Sequence, residues 1–419
     1  MPTADVLVIG GGVIGTACAY YLARAGRRVT LIDKGATGAA CSHGNCGYVC
    51  PSHVLPLAAP GAVWATLKTL LHRDSPLKVR PAAALADLGW FVRFARRCNP
   101  RDMLHAAAGI RALLDSSRTL YDQLLADEAI DCEWDARGLL FVFRTRAGFD
   151  HYAPIDRLVA GRFGQAAERF DADALRTLEP ALKPGAAAGG YLYRGDAQLR
   201  PDRLMAGWRQ ALVRLGVTIH EHCELTGFVR ESGRAAAART TRGDDLPAGA
   251  FVVAAGAWTP RLNHALGCAV PIVPGKGYSL TTPRPAVCPA YPMIFEEHRV
   301  AVSPFRSGYR VGSTMEFAGY DASIPADRLR LLRDAAAIYL PEPESGLAAE
   351  PWQGWRPMVF DGKPVVDRSP RLANVLIAAG HGMLGLSMAP GTGRLATELL
   401  TGATPHVDPR HYALARFGR

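Results

Sequence analysis

The chain has 419 residues, 49% of them hydrophobic, and 48 Lys and Arg against 38 Asp and Glu, a formal net charge of +10. That length exceeds what one hydrophobic core usually supports, so two domains are expected. The basic residues are scattered, with no basic tract, zinc-finger spacing or RNP-type aromatic motif, which argues against nucleic acid and leaves only a loose association with an anionic membrane surface. Nine cysteines are an odd number and sparse, which fits a reducing compartment better than a disulfide framework. Cys41, Cys46 and Cys50 group locally, but their spacing matches no common zinc or iron–sulfur pattern, so no metal is expected.

Residues 6–23 carry no charge and are long enough to suggest a membrane span. Gly10, Gly11 and Gly12 argue against it, and the preceding segment has Asp5 but no Lys or Arg, unlike a secretory signal. A cytoplasmic protein is expected, with the inner membrane face as its place of peripheral contact.

In chain order, a β-rich run over 5–9 is followed by Gly10-x-Gly12-x-x-Gly15, a helix-like stretch ending at Gly26, and a second strand closing on Asp33. This is the opening βαβ unit of a dinucleotide-binding fold. Residues 60–130 are rich in helix formers with apolar spacing near 3.6 and predict a helical insertion. A strand pair is expected around 138–144, a capped helix over 171–178, a helix over 201–215 and one alternating strand over 217–229. The run Phe251-Val252-Val253-Ala254-Ala255-Gly256 reads as a buried strand ending in glycine. Residues 271–355 alternate like antiparallel strands. The chain closes with a strand from Asn374 to Ala379, then Gly380-x-Gly382-x-x-Gly385, and a helix over 392–400.

In the first motif, Gly10 permits a tight turn, Gly12 lets a pyrophosphate approach the backbone, and Gly15 lets helix and strand pack. The helix N-terminus faces the phosphates, and Asp33 stands where a carboxylate would accept hydrogen bonds from a ribose. FAD and NAD share this grip. The second motif has too little chain after it for another ribose carboxylate. Its backbone N–H groups are instead expected to face something partly negative, such as the pyrimidine edge of a reduced flavin.

Four further stretches resemble the D-amino-acid dehydrogenase and D-amino-acid oxidase superfamily, which includes glycine and sarcosine oxidases. They are Cys41-Ser42-His43-Gly44-Asn45-Cys46-Gly47, Pro274-Gly275-Lys276-Gly277-Tyr278-Ser279-Leu280, Trp355-Arg356-Pro357-Met358, and residues 379–393. The likeness is greatest to the D-amino-acid dehydrogenase branch, with its D-proline and cis-4-hydroxy-D-proline dehydrogenases. It implies an α/β fold: a Rossmann-like FAD-binding domain assembled from separated segments (1–60, 171–270 and 356–419), and a mixed substrate domain (61–170 and 271–355) with an antiparallel sheet and the helical insertion.

Candidate FAD contacts are then Gly10, Gly12, Val13, Ile14 and Gly15 at the first turn, with Asp33 and Lys34 after the second strand. Ser42 and Asn45, Gly256, and the closing run Gly380, His381, Gly382, Met383, Leu384 and Gly385 complete them. The resemblance gives Arg356 the substrate carboxylate and makes His43 a catalytic candidate beside the flavin, with His53, Lys276 and Tyr278 behind it. Met383 and Ala301 replace an arginine and a tyrosine of the glycine-type pocket. No cysteine follows Cys288, so a non-covalent flavin is expected. The implied reaction is direct hydride transfer from Cα of a small D-amino acid, with D-proline or cis-4-hydroxy-D-proline favoured and a quinone or partner redox protein as acceptor. Competing readings are a glycine or sarcosine oxidase using oxygen, a nicotinamide-dependent dehydrogenase, and a non-catalytic basic binding protein.

Overall fold

The computed structural model describes residues 4–70, 75–347 and 349–418. Val6 to Ile9 are four consecutive buried apolar residues, the pattern of a parallel strand covered on both faces. This strand, β1 (Ala4–Ile9), pairs in parallel with β2 (Val29–Ile32) on one side and with the end of Asp245–Val253 on the other. Thr218–His220 extends the sheet beyond β2, and Val375–Ala379 extends it beyond Asp245–Val253, both in parallel. The antiparallel strand Val365–Arg368 closes that edge. The predicted βαβ opening is present, with α1 (Val13–Arg24) as its helix, and distant segments complete the sheet as the expected Rossmann-like fold requires.

Small residues set the helix packing over this sheet. Ala17, Cys18 and Ala19 of α1 are fully buried, and a Cβ on Gly393 would stand 2.6 Å from the Ala17 backbone. The C-terminal helix Gly385–Thr401 therefore lies hard against α1. Its other flank meets the 29-residue helix Pro100–Glu128, whose Ser117 Oγ accepts the Gly391 N–H at 2.9 Å and whose Tyr121 hydroxyl donates to the Leu386 carbonyl at 2.7 Å. This long helix, N-capped by Asn99, shares one apolar core with α1. The stretch assigned to the substrate domain thus contributes its longest helix to the nucleotide-binding half.

A second sheet is built around Ile272–Thr282, buried at every position. Glu350–Val359 and Gly308–Phe317 flank it antiparallel, and the order continues through Val300–Phe305, Met293–Phe295, Leu139–Phe143, Gly189–Tyr193 and Glu168–Asp171. The boundaries drawn at 170/171 and 355/356 therefore cut through strands of this sheet.

Other differences are local. The strand pair expected near 138–144 is one strand, Leu139–Phe143, whose partners come from 189–193 and 293–295. The single strand expected over 217–229 is two, because His222 takes φ 55° and breaks the alternation; Leu225–Glu231 then pairs with Arg234–Thr240. The helical insertion is broken into Ala62–Leu70, Pro81–Ala86, Leu88–Arg97 and the long helix. Ala326–Tyr339 is a helix within the predicted β region. The capped helix at Asp171 and the helix from Pro201 are as expected. Among the described residues, no helix is long and apolar enough to cross a membrane.

Candidate functional site

Between the two sheets lies a cavity of about 1830 Å³ onto which both glycine motifs open. Ordinary small-molecule sites are roughly 300–1,000 Å³, so this one has room for a dinucleotide and a small substrate together.

The first turn is shaped by contact. Gly10 has φ 107°, and a Cβ there would lie 2.5 Å from the Ala254 carbonyl oxygen. A Cβ on Gly15 would fall 1.7 Å from the Gly10 carbonyl oxygen, so only glycine lets α1 approach the strand. Gly12 N-caps α1 with no side-chain cap, which leaves helix N–H donors facing the cavity beside Ile14. The exception is the Val13 N–H, which donates to Ser42 Oγ at 3.0 Å. Asp33 accepts the Gly11 N–H at 2.6 Å and the Gly35 N–H at 2.7 Å. Burial raises its carboxyl pKa and these two donors oppose the rise. Each oxygen retains a lone pair for a ribose hydroxyl.

Lys34 also lines the cavity, its Nζ 3.1 Å from the centre of the Trp258 ring, which lines it too and stacks on Tyr320 at 4.6 Å. Gly256 has φ 54°, and a Cβ there would meet nothing within 4 Å, which leaves the adjoining space open.

Loop 41–47 is clamped by residues to which sequence reading gave no role. Arg310, only 1% exposed, donates through Nη1 to the Asn45 carbonyl at 2.6 Å and the His43 carbonyl at 3.1 Å. Ser279 Oγ donates to the Gly44 carbonyl at 2.9 Å and Ser303 Oγ to the Cys46 carbonyl at 2.6 Å. The Asn45 side chain accepts the Gly47 N–H at 2.8 Å, so it shapes the turn. A Cβ on Gly44 would collide with the Trp352 ring at 2.1 Å. These clamps come from three separate strands, and nothing in their local sequence marks them.

His43 is not brought to the cavity. Its Nε2 pairs with Glu350 at 2.6 Å on the outer side of the loop, because the backbone between the clamped Gly44 and the inward-facing Ser42 turns this side chain outward. The expectation of a catalytic His43 is corrected accordingly. Among the other candidates, Lys276 faces Asp321 at 3.5 Å and the Tyr278 hydroxyl donates to Glu316, so both are tied into an ionic network. Tyr278 and His53 line the cavity.

The second turn differs from its expected form. Gly380 and Gly382 take φ 85° and 55°. The Gly382 N–H donates to the Pro357 carbonyl at 3.0 Å and the Leu384 N–H to the His381 carbonyl at 3.0 Å. Those two donors are thereby occupied, and the first turn of the helix beginning at Gly385 is left to supply others. His381 Nε2 is 3.0 Å from Thr392 Oγ1, and burial pushes its pKa down to about 3, so the ring is neutral. Met383 faces the cavity at 39% exposure.

Arg356 reaches the cavity from Glu350–Val359, where Gly277 gives it room: a Cβ on Gly277 would lie 2.4 Å from its Cζ. Its Nη1 donates to the Thr314 carbonyl at 2.7 Å. Among the described residues no carboxylate lies within ion-pair distance of it. Burial lowers its pKa, opposed by the nearby Cys41 and Cys46. A guanidinium held there without a counterion is a receptor for an anion.

The parallel sheet, the glycine turn and the Asp33 carboxylate beside it have the form of a dinucleotide-binding site, and the cavity beyond them has room for a flavin cofactor with an anionic substrate. Residues 5–399 match the family described as DAO, FAD dependent oxidoreductase, and the chain belongs to that family and is FAD-dependent. A D-amino acid dehydrogenase from Methylobacterium nodulans is 34% identical over 98% of this chain and 99% of its own length. Another so named, from Xanthobacter autotrophicus, is 33% identical over 98% and 99%. Among solved structures, glycine oxidase from Geobacillus kaustophilus superposes with a TM-score of 0.79 at 23% identity, covering 99% of both chains. L-proline dehydrogenase from P. horikoshii gives 0.78 at 18% identity over 99% and 98%. At those identities the structures show the fold alone.

Proposed function

We propose that this chain is a D-amino-acid dehydrogenase in which Arg356 binds the substrate carboxylate. The observation that carries the reading is the Arg356 guanidinium, without a carboxylate partner in a cavity framed by both glycine turns. The names and near-full-length identity of the curated relatives support the substrate class.

The residues that would hold FAD are the first-turn glycines with Val13 and Ile14 at its pyrophosphate, Asp33 at its ribose, Ser42, Asn45 and Gly256 along its length, and 380–385 at its far end. Bound FAD supplies the hydride acceptor. Arg356 fixes the carboxylate by paired charge-assisted hydrogen bonds, which restricts how Cα–H can point. Arg310, Ser279 and Ser303 hold loop 41–47 rigid through its carbonyls. The substrate reacts as its neutral amine, so the chain needs no strong base, in keeping with an outward His43 and a neutral His381.

Ala301, 4% exposed on Val300–Phe305, and Met383 contribute apolar surface to the same cavity. Such a space suits compact rings, and we read D-proline or cis-4-hydroxy-D-proline as favoured over long linear D-amino acids. The acceptor is a quinone or a partner redox protein reached at an anionic membrane surface. Trp64, Leu67, Leu85, Leu88 and Val92 form an exposed apolar set on the three short helices by the cavity, with Arg93 and Arg96 exposed beside it. Co-sedimentation with anionic but not neutral vesicles, lost in Leu85→Glu/Leu88→Glu, is the expected result for that face.

Initial rates with paired enantiomers of proline, alanine and 4-hydroxyproline, measured with an electron-accepting dye and in air, test the assignment. Faster turnover of the L forms overturns it. Stoichiometric peroxide without dye would make the protein an oxidase instead.

A further inference from the structure

One wall of the cavity carries three potential ligands that the proposed chemistry does not use. The short strand Tyr48–Val49 pairs antiparallel with Ala197–Gln198, Val49 opposite Ala197. Cys50 follows the first strand and Asp196 precedes the second, so the ladder sets them side by side. The chain then turns, with the His53 N–H donating to the Cys50 carbonyl at 3.1 Å, which folds a Cys-x-x-His segment back on itself. The thiol sulfur, an imidazole nitrogen and a carboxylate oxygen all lie within 4.8 Å of one another.

The charges in this cluster are incomplete. Asp196 is fully buried, and among the described residues no Lys or Arg stands within ion-pair distance of it. Ser52 alone serves it, donating its N–H at 3.0 Å and its hydroxyl at 2.5 Å. A buried carboxylate and a buried thiolate are each costly without a cation. Once deprotonated, and together with a neutral imidazole, they would offer two negative charges, the complement of a divalent ion.

We propose that Cys50, His53 and Asp196 form a binding site for a divalent transition metal of the zinc type. Ligands about 2.0–2.3 Å from such an ion stand roughly 3.3–3.8 Å from one another, so closing the site asks for side-chain shifts of only about 1 Å. Ser52 orients the carboxylate as metal-bound carboxylates require. Binding forms metal–sulfur, metal–nitrogen and metal–oxygen bonds and releases to solvent the Cys50 proton and any proton held by the Asp196 carboxyl. Cys50 and His53 line the cavity, so the fourth coordination position opens toward it for water. Sequence spacing concealed the site because it grouped Cys50 with Cys41 and Cys46, which lie instead near Arg356.

The test uses holoenzyme stripped with a chelator and titrated with Co²⁺. The expected result is one Co²⁺ per chain, with a thiolate-to-metal charge-transfer band and four-coordinate ligand-field bands in the red, beyond oxidised flavin absorption. Zn²⁺ should displace it. Cys50→Ser should abolish the charge-transfer band with FAD content unchanged, and His53→Ala should weaken binding by at least about tenfold. Where Cys50→Ser does not fold, Cys50→Ala supplies the same comparison. Co²⁺ bound without a thiolate band, or a titration unaltered in these variants, overturns the proposal. That result would leave the amino-acid dehydrogenase reading standing, because metal content is read without substrate.

Discussion

The two glycine turns share the pattern strand, G-x-G-x-x-G, helix, yet they are built for different ends. The first presents its helix N-terminus to the cavity with only the Val13 N–H taken, by Ser42, and with Asp33 fixed beside it by the Gly11 and Gly35 N–H groups. The second occupies two of its donors, Gly382 with the Pro357 carbonyl and Leu384 with the His381 carbonyl. Pro357 follows Arg356, so the second turn joins the nucleotide-binding half to the strand that carries Arg356. One motif leaves a helix N-terminus open to the cavity; the same motif elsewhere makes a joint between two lobes.

Breaking the first turn should have the largest effect. Gly15→Ala places a Cβ 1.7 Å from the Gly10 carbonyl oxygen, backbone against backbone. We expect a loss above about 3 kcal/mol and no retained FAD, read from Tm and flavin content. Gly256→Ala, at a positive φ with open space around it, should cost only about 1 kcal/mol. Equal losses in the two variants would mean that close packing at the first turn is not what matters.

The clamp carried by the second turn's neighbour comes next. Arg356→Met should lower kcat/KM for D-amino acids by about 2–4 kcal/mol in transition-state terms, roughly 30- to 1,000-fold, with FAD content unchanged. Near-normal kcat/KM would remove Arg356 from the site.

His381 sharpens the view of the second turn as a structural joint. Its pKa falls from 6.5 unfolded to about 3 in the fold. The unfolded chain therefore binds the extra proton between these values, and stability is lost as pH falls through 6.5. At pH 5 the loss is about 2 kcal/mol. His381→Gln should flatten the decline in Tm between pH 7 and 5; an undiminished decline assigns it to other groups, such as His53.

Asp33→Ala should weaken FAD binding by about 1–2 kcal/mol, measured by flavin fluorescence on titration. Unchanged affinity would take the ribose away from the first turn. The smallest effect belongs to His43→Gln. Its pairing with Glu350 is half-exposed, so kcat/KM should move by less than about 0.5 kcal/mol. A hundredfold fall in rate would restore His43 to the chemistry.

What the sequence by itself determined is local in origin. The strand–turn–helix–strand opening, the Asp33 position, the buried strand before Gly256 and the helix from Pro201 follow from apolar period and glycine placement within a few tens of residues. The class of chemistry was legible because the motifs recur in order along the chain. Tertiary structure decided the rest, through contacts between residues far apart in the chain. Arg310 holds the Asn45 carbonyl across 265 positions, and Asp196 meets Ser52 across 144. The break at His222 and the packing of Pro100–Glu128 on α1 belong here too. So does the outward turn of His43, since a loop's side chains point where distant clamps set its backbone. Period and spacing report what a segment buries; they carry no record of which distant strand supplies the partner.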